Sequence, residues 1–201
     1  MNNIKDLERR NYAFPVTVTG EEDKRTVEGY ALKFNVESDG LSFTEVIERG
    51  ALDGVIEVSN VFALLNHDSE RGILARSKMG VGTLHLEVDD VGLKYRFEAP
   101  KTALGDELLE YLRRGEISES SFAFTVESDT WKYDDDGACY RTIHKIKRLY
   151  DVSPVFDAAY SATEVNLRGK EQLDKELQTA QKRAQEHKNE MDKYYSELTI
   201  N

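Results

Sequence analysis

The stretch of sequence that decides the fold is SFAFTVESDTWKYDDDGACYRTIHKIKRLYDV, which spans residues 121–152. Its two halves, at about 122–133 and 139–152, are rich in the β-branched and aromatic residues that favour strands. The segment Asp134-Asp-Asp-Gly137 separates them, and glycine readily adopts the left-handed backbone conformation that tight turns need. The pattern therefore predicts a long antiparallel hairpin that turns at Gly137.

The length of this turn sets which side chains face each other across the hairpin. A three-residue loop at 135–137 would place Ser121 directly opposite Asp151, with both side chains on one face of the sheet. A two-residue loop would oppose Ser121 to Val152 and send Asp151 to the other face, and a β-bulge could do the same. The position of Asp151 therefore depends on the register.

Strand patterns also occupy most of the chain before the hairpin. Residues 25–36 are rich in β-branched and aromatic types, and residues 83–88 and 93–97 alternate apolar with polar around a turn. Residues 60–66 are a short apolar run, which indicates a strand buried on both faces, although a helix can give the same pattern. The region 13–99 is thus predicted to consist of strands and turns.

Two helices are predicted, one on each side of the hairpin. Thr102 can cap a helix with the apolar stripe Leu104, Leu108 and Leu112, and Gly115 ends it. After residue 168 the chain is rich in Glu, Lys, Gln and Ala, which favour a second helix with a heptad-like seam. The members of that seam are Leu173, Leu177, Ala180, Ala184, His187, Met191, Tyr194 and Leu198.

The chain is predicted to have three parts. A chain of 201 residues can bury one good core and carry an appendage. The parts are an N-terminal lead-in at 1–12, a mainly β domain at 13–168 and a charged helical tail at 169–201. The heptad-like seam suggests that the tail binds another helix.

Composition argues against several classes of protein. The net charge of −11 is opposite to that of nucleic-acid binders, which concentrate Lys and Arg. The single cysteine, Cys139, excludes an internal disulfide and a zinc site built on paired thiolates. No run approaches the roughly 20 apolar residues of a membrane span, and the polar N-terminus lacks a secretory signal. We therefore expect a cytoplasmic protein with no metal or other cofactor.

The candidate catalytic groups reduce to serine, histidine and carboxylate side chains. His67 follows the apolar run 60–66, and strand ends are where rigid scaffolds often place reactive groups, although from this feature alone a plain turn residue is the default interpretation of His67. Surface or seam positions explain the other histidines, His85, His144 and His187. A metal site at the His67 end is the weakest alternative, because the ligand spacing is not recognisable.

Ser121 lies where a polar segment enters an apolar strand, and Ser118 and Ser120 are close by. A serine hydroxyl is a poor nucleophile until a neighbouring base removes its proton. A third group must then hold the tautomer of that base and stabilise its cationic form. Ser121, His67 and Asp151 could fill these three roles if the fold carries His67 to the hairpin.

Several phrases of the sequence, taken together and in order, resemble the prohead maturation protease family of tailed phages. Five phrases in order with suitable spacing make coincidence improbable, and they span about residues 27–168. The phrases are Glu28-Gly-Tyr-Ala31 with Phe34, Glu48-Arg-Gly-Ala51, Leu65-Asn-His-Asp68, Ile117-Ser-Glu-Ser-Ser-Phe-Ala-Phe124, and Leu149-Tyr-Asp-Val-Ser-Pro-Val155 followed by Ala159-Tyr-Ser-Ala-Thr163.

The resemblance implies an α+β, mainly β fold: an antiparallel β-barrel-like core with flanking helices, related to herpesvirus assembly proteases. It also implies Ser121 as nucleophile and His67 as base, with Asp151 as third member because the family has an acidic residue before Val-Ser. Herpesvirus relatives use a histidine in that third role. Ser120 stands where the family has Met, and Ala123 where it has Gly, so Ser118 and Ser120 remain alternative nucleophiles.

The function implied by the resemblance is endoproteolysis during procapsid maturation. The substrates would be the major capsid protein or its scaffold segment, and the protease itself, inside the assembling procapsid in the host cytoplasm. The tail at 169–201 would associate with these partners or with a second copy, and self-cleavage could remove it. The altered residues around Ser121 favour an alternative, an inactive protein that keeps the fold and acts as a scaffold.

Overall fold

The computed structural model describes residues 4, 6–12, 15–19, 25–38 and 41–156, together with 174–175, 178–179, 182–183 and 185–186. The chain divides into two compact units, Met1–Thr163 and Glu164–Asn201. His67, Ser121 and Asp151 all belong to the first unit.

The first unit consists mainly of strands. Among its described residues the strands are β1 (Glu8–Tyr12), β2 (Thr17–Thr19), β3 (Thr26–Lys33), β4 (Thr44–Ile47), β5 (Asn60–Ala63), β6 (Ala75–Lys78), β7 (Val81–Gly82), β8 (Leu84–Val88), β9 (Gly92–Glu98), β10 (Glu119–Tyr133) and β11 (Cys139–Val155). One α-helix, α1 (Ala103–Arg114), and a single 3-10 turn at Ile56–Val58 accompany them in the described part.

Within the described residues the strands form two open sheets, so the expected antiparallel, barrel-like core is corrected. The order is β1-β10-β11-β5-β6-β7 in the first sheet, where β4 also pairs with β11, and β2-β3-β9-β8 in the second. A barrel closes only if its first and last strands pair, and within the described residues β1 pairs with β10 while β7 pairs with β6. Both β4 and β5 run parallel to β11, so the first sheet is mixed.

One apolar core takes buried side chains from both sheets and from α1. Tyr95 and Phe97 come from β9, Phe122 and Phe124 from β10, and Leu108 from the helix. Burying one such side chain fully is worth about 1.5–3 kcal/mol, so the shared core is the main force that keeps the two sheets together. The mainly β prediction is confirmed, whereas the expected set of several flanking helices reduces to α1 in the described part.

The predicted helix near residue 102 is confirmed in detail. The Thr102 side chain accepts a hydrogen bond from the Gly105 amide, and Gly115 ends the helix with a left-handed φ of 73°. Gly105 cannot carry a side chain, because a Cβ there would lie 2.0 Å from the Pro100 carbonyl oxygen. No helix within the described residues is long and apolar enough to cross a membrane.

The predicted tail helix at 169–201 lies mostly outside the described residues. Residues 174–175, 178–179, 182–183 and 185–186 have helical backbone. The rest of the tail, including every seam residue from Leu173 to Leu198, is not described. The continuous charged helix and its seam therefore remain predictions.

A buried cluster of charged side chains joins β1, β4 and β11. Arg10 bonds to Glu45 at 2.5 and 2.6 Å and to Glu8 at 2.6 Å. Arg141 bonds to Glu8 at 2.6 and 2.9 Å and to Glu45 at 2.9 Å, and all four side chains are buried. The cluster attaches β1, which lies inside the segment predicted as a lead-in, firmly to the main sheet.

This cluster should make the free energy of unfolding fall in acid. Burial alone would raise the pKa of Glu8, but hydrogen bonds and charges from Arg141 and Arg10 outweigh it and hold the pKa below its ordinary 4.5. A carboxylate with a lowered pKa contributes stability that is present above its unfolded-state pKa and lost as pH falls through the folded-state value. We expect Glu8→Gln to be less stable than the wild type at pH 7.

Glu8→Gln should also make stability depend less on pH in the acid range. Urea midpoints measured from pH 7 to about pH 3 should fall less steeply below about pH 4.5 in Glu8→Gln than in the wild type. Equal slopes for the two proteins would contradict the role given to Glu8.

Candidate catalytic site

Ser121 lies near the start of β10, and strand alternation separates it from its neighbours. Ser120 points to the opposite face, where its hydroxyl lies 2.8 Å from the hydroxyl of Tyr95. Burial raises the pKa of Tyr95, so this pair stays neutral in the core. Ser118 precedes the strand and is exposed. Of the three candidate serines, only Ser121 faces His67.

The hairpin turn forms as predicted, but the predicted register at Ser121 is wrong. The Asp134 amide donates to the Ala138 carbonyl at 3.0 Å, which leaves the predicted three-residue loop between them. Near the other end of the hairpin, however, Ser121 faces Ser153 rather than Asp151. The register has therefore shifted by two residues along the strand.

Irregularities in the middle of the hairpin cause this shift. Tyr150, Lys147 and His144 in β11 have no direct partner in β10, whereas only Glu127 is skipped in β10. Such bulges add residues to one strand, and here β11 gains two relative to β10. Because side-chain direction repeats every two residues, Asp151 stays on the face of Ser121 as its diagonal neighbour.

His67 reaches this face from β5 through a tight turn. β5 runs parallel to β11, with Phe62 beside Asp151, and the chain then turns at Leu65–Asp68. The Asp68 amide donates to the Leu65 carbonyl at 3.1 Å, and the two central residues have positive φ, 54° for Asn66 and 59° for His67. These are the features of a type I′ turn, which presents the imidazole beside β11.

The His67 imidazole connects Ser121 to Asp151. Nδ1 lies 2.6 Å from Asp151 Oδ1, and Nε2 lies 2.5 Å from Ser121 Oγ. An ionised carboxylate can only accept, so Nδ1 carries the proton and Nε2 is free to accept the serine hydroxyl. Ser121 and Asp151 are fully buried, whereas the His67 side chain is 12% exposed. The arrangement is that of a base ready to take the proton of a serine.

Comparison with known protein families identifies the family of the chain. Residues 14–178 match the model of the caudovirus prohead serine protease family. The chain belongs to this family. The family resemblance seen in the sequence motifs is thereby confirmed.

No curated protein sequence matches this chain. Among solved structures, the capsid assembly protease of bacteriophage T4 is similar, with 13% identity, a TM-score of 0.45, and coverage of 76% of this chain and 98% of that one.

A second acceptor competes for the Ser121 hydroxyl in this prohead protease family member. The Arg10 carbonyl oxygen lies 3.0 Å from Ser121 Oγ, because β1 runs beside β10 with Asn11 facing Ser121. The side chain of Ser121 has no exposed surface. A substrate carbonyl can therefore reach Oγ only after covering residues move. Nothing in the sequence around Arg10 pointed to this contact.

A second hydroxyl, imidazole and carboxylate set lies farther along the same hairpin. His144 Nε2 lies 2.7 Å from Thr130 Oγ1, and Nδ1 lies 2.8 Å from a Glu48 oxygen. His144 and Glu48 are 38% and 47% exposed, so water competes for every one of these bonds. Burial, rather than contact pattern, distinguishes the His67 set from this one.

The turn that carries His67 should tolerate glycine but not a β-branched residue at position 66. Asn66 is exposed, so its substitution tests the backbone alone. A β-branched residue at positive φ costs about 1–3 kcal/mol, whereas glycine adopts that conformation freely. We expect Asn66→Val to lower the unfolding free energy and the reactivity of Ser121, and Asn66→Gly to preserve both. Equal behaviour of the two variants, in urea denaturation and covalent labelling, would contradict the turn geometry.

A metal site at the His67 end is the weakest of the alternatives that the sequence leaves open. Within the described part of the chain, no three His, Cys, Asp or Glu side chains lie together in a way that could hold a metal ion. Asp68, the neighbour of His67, accepts a hydrogen bond from the Glu70 amide at 2.9 Å and closes its own loop. The proton chemistry of Ser121, His67 and Asp151 requires no metal.

Proposed function

We propose that this chain is a serine endopeptidase of procapsid maturation, with Ser121 as nucleophile, His67 as general base and Asp151 as the group that orients the base. One observation carries the proposal: a nearly buried imidazole bonds to a serine hydroxyl through Nε2 and to a carboxylate through Nδ1. Membership of the prohead serine protease family supports it.

The proposed reaction proceeds through an acyl enzyme. Ser121 Oγ attacks the scissile carbonyl carbon while its proton passes to His67 Nε2. Asp151 stabilises the imidazolium that forms, and Nε2 then gives the proton to the departing amine. Water enters, loses a proton to Nε2, and hydrolyses the ester to release the acid product and restore the Ser121 hydroxyl.

The proposed substrates are the major capsid protein or its scaffold segment and the protease itself. The family name supports an action inside the assembling procapsid, in the cytoplasm of the host. Association with these partners, or with a second copy, is proposed for the tail at 169–201. Neither a cofactor nor a nucleic acid takes part in the proposed reaction.

Covalent labelling with a fluorophosphonate tests the proposal directly. The reagent phosphonylates an activated serine, and digestion followed by mass spectrometry identifies the residue that carries the adduct. We expect the adduct on Ser121, and we expect no adduct on Ser118, Ser120 or Thr130. In parallel, the intact mass of the purified protein should fall with time if the chain cleaves itself.

Ser121→Ala is the matched control, because it removes one hydroxyl from a strand that otherwise keeps its pairing. It should abolish both labelling and time-dependent truncation while the thermal unfolding curve remains cooperative. An adduct on another residue, or truncation that persists in Ser121→Ala, would refute the assignment of the nucleophile.

The alternative function is an inactive scaffold with the protease fold. The complete burial of Ser121 favours it, as do Ser120 and Ala123 beside the nucleophile. It predicts no labelling of the wild type and no shortening of co-expressed capsid protein. The same two measurements therefore separate the two hypotheses.

A further inference from the structure

Ser153 lies at the centre of the site, although the roles proposed above leave it unused. It faces Ser121 directly across the hairpin, and both side chains are fully buried. It also lies two residues after Asp151 in β11, so the two side chains point to the same face. The shift in register places this second hydroxyl where Asp151 was expected.

The Ser153 hydroxyl is bonded to the carboxylate of the site. Its Oγ donates to Asp151 Oδ1 at 2.8 Å, and the same oxygen accepts from His67 Nδ1 at 2.6 Å. A carboxylate oxygen has two lone pairs and can accept both bonds. Asp151 Oδ2 is buried and has no hydrogen-bond partner among the described residues. Both of these hydrogen bonds to the buried carboxylate are therefore made to Oδ1, the oxygen that the Ser153 hydroxyl contacts.

We propose that Ser153 is a positioning residue, which holds the Asp151 carboxylate so that Oδ1 receives His67 Nδ1–H. The inference rests on the function proposed for Ser121, His67 and Asp151. Ser153 touches neither substrate nor the reacting atoms in this role. It acts by preventing rotation of the carboxylate and by donating a hydrogen bond to its negative charge, because the Asp151 side chain is itself buried.

Loss of this hydroxyl should have two effects. The carboxylate can rotate, so His67 spends less time with Nε2 directed at Ser121, and the reaction of the Ser121 hydroxyl should slow by about tenfold, as expected for a bond to a charged group. The less solvated carboxylate also attracts protons more strongly, and the His67–Asp151 pair should protonate at higher pH. The acid limb of the rate profile should therefore move to higher pH.

The experiment compares three replacements of Ser153 with the wild type. Rates of Ser121 phosphonylation by a fluorophosphonate are measured from about pH 5 to pH 9 for Ser153→Ala, Ser153→Cys and Ser153→Thr. Cysteine fills the volume of serine but is a weak donor, whereas threonine keeps the hydroxyl. We expect Ala and Cys to be slow with a shifted acid limb, and Thr to restore rate and profile. A Cys variant that behaves like the wild type would show that packing, and not the hydrogen bond, is what matters, and would overturn the proposal.

Ser77→Ala is the matched control for deletion of a buried hydroxyl. Ser77 is 1% exposed in β6, and its Oγ has no hydrogen-bond partner within the described residues. The phosphonylation rate and pH profile of Ser77→Ala should match those of the wild type, with all variants first shown to unfold cooperatively. If Ser153→Ala also matches the wild type, or if Ser77→Ala slows equally, the positioning role is wrong.

A spectroscopic measurement separates this inference from the proposed function. The proton on His67 Nδ1 should give a strongly downfield NMR resonance, because it is held between nitrogen and a buried carboxylate. That resonance should move or broaden in Ser153→Ala and remain in Ser77→Ala. If the wild type fails to react with the fluorophosphonate, the proposed function is refuted. The resonance still tests Ser153, and an unchanged resonance in Ser153→Ala overturns the positioning role.

Discussion

His67→Gln is expected to lower the rate at which a fluorophosphonate phosphonylates Ser121 by about 10⁶-fold, the loss that is typical when the base of a serine triad is removed. Glutamine fits the space of an imidazole and can still form hydrogen bonds, but it cannot take up the hydroxyl proton. Ser121 Oγ would then have to react as a neutral alcohol. The measurement is the pseudo-first-order labelling rate at pH 7.5, with folding checked by thermal unfolding.

His144→Gln is the control that makes this result specific. His144 also contacts a hydroxyl and a carboxylate, at 2.7 and 2.8 Å, but its set is exposed to solvent. Its replacement should leave the labelling rate of Ser121 unchanged within about twofold, since exposed hydrogen bonds contribute little. A large loss in His144→Gln together with a small loss in His67→Gln would show that His144, and not His67, is the base.

Local chemistry explains why the sequence predicted the long hairpin and α1. Gly137 is required for the turn, and the Thr102 cap and the Gly115 stop define the helix without any distant contact. With a three-residue loop, strand alternation also predicts Ser121 and Asp151 on one face. The two side chains do share a face, because the register shift is an even number of residues. These features depend on residues that are near in sequence or joined by a short turn.

The approach of His67 to the hairpin could not be derived from spacing alone. It depends on the parallel pairing of β5 with β11, between residues that are far apart in the sequence. Such pairing is chosen by the whole core, and no local pattern specifies the partner. The motif around His67 supplied the prediction through family resemblance, and the bond from the Asn66 amide to the Pro154 carbonyl at 3.0 Å shows how the turn is attached.

The positions of the bulges and the existence of the charged cluster could not be predicted from the sequence. Tyr150, Lys147 and His144 are ordinary strand residues, so nothing in their types marks them as unpaired positions. Glu8 and Arg10 belong to a polar segment that normally indicates solvent exposure, yet both are buried. Their burial depends on opposite charges supplied by β4 and β11, which only the folded chain brings together.

Glu45→Gln is expected to lower the free energy of unfolding by about 3–5 kcal/mol, the typical cost of removing one partner from a buried ion pair. Glu45 is fully buried and accepts bonds at 2.5 and 2.6 Å from Arg10 and at 2.9 Å from Arg141. Glutamine has nearly the same shape but no charge, so two buried guanidinium groups lose a counter-charge. Differential scanning calorimetry should show a fall in Tm of roughly 10 °C for a domain of this size.

The matched control for this prediction is Glu116→Gln, the same substitution in an exposed ion pair. Glu116 lies 2.7 Å from Arg114, with side chains that are 41% and 61% exposed. An exposed pair is worth about 0–1 kcal/mol, so the Tm of this variant should change by no more than a few degrees. If both variants lose little, the buried cluster is not a source of stability. If Glu45→Gln alone unfolds early, the cluster is what holds β1, and with it the Arg10 carbonyl, against the strand of Ser121.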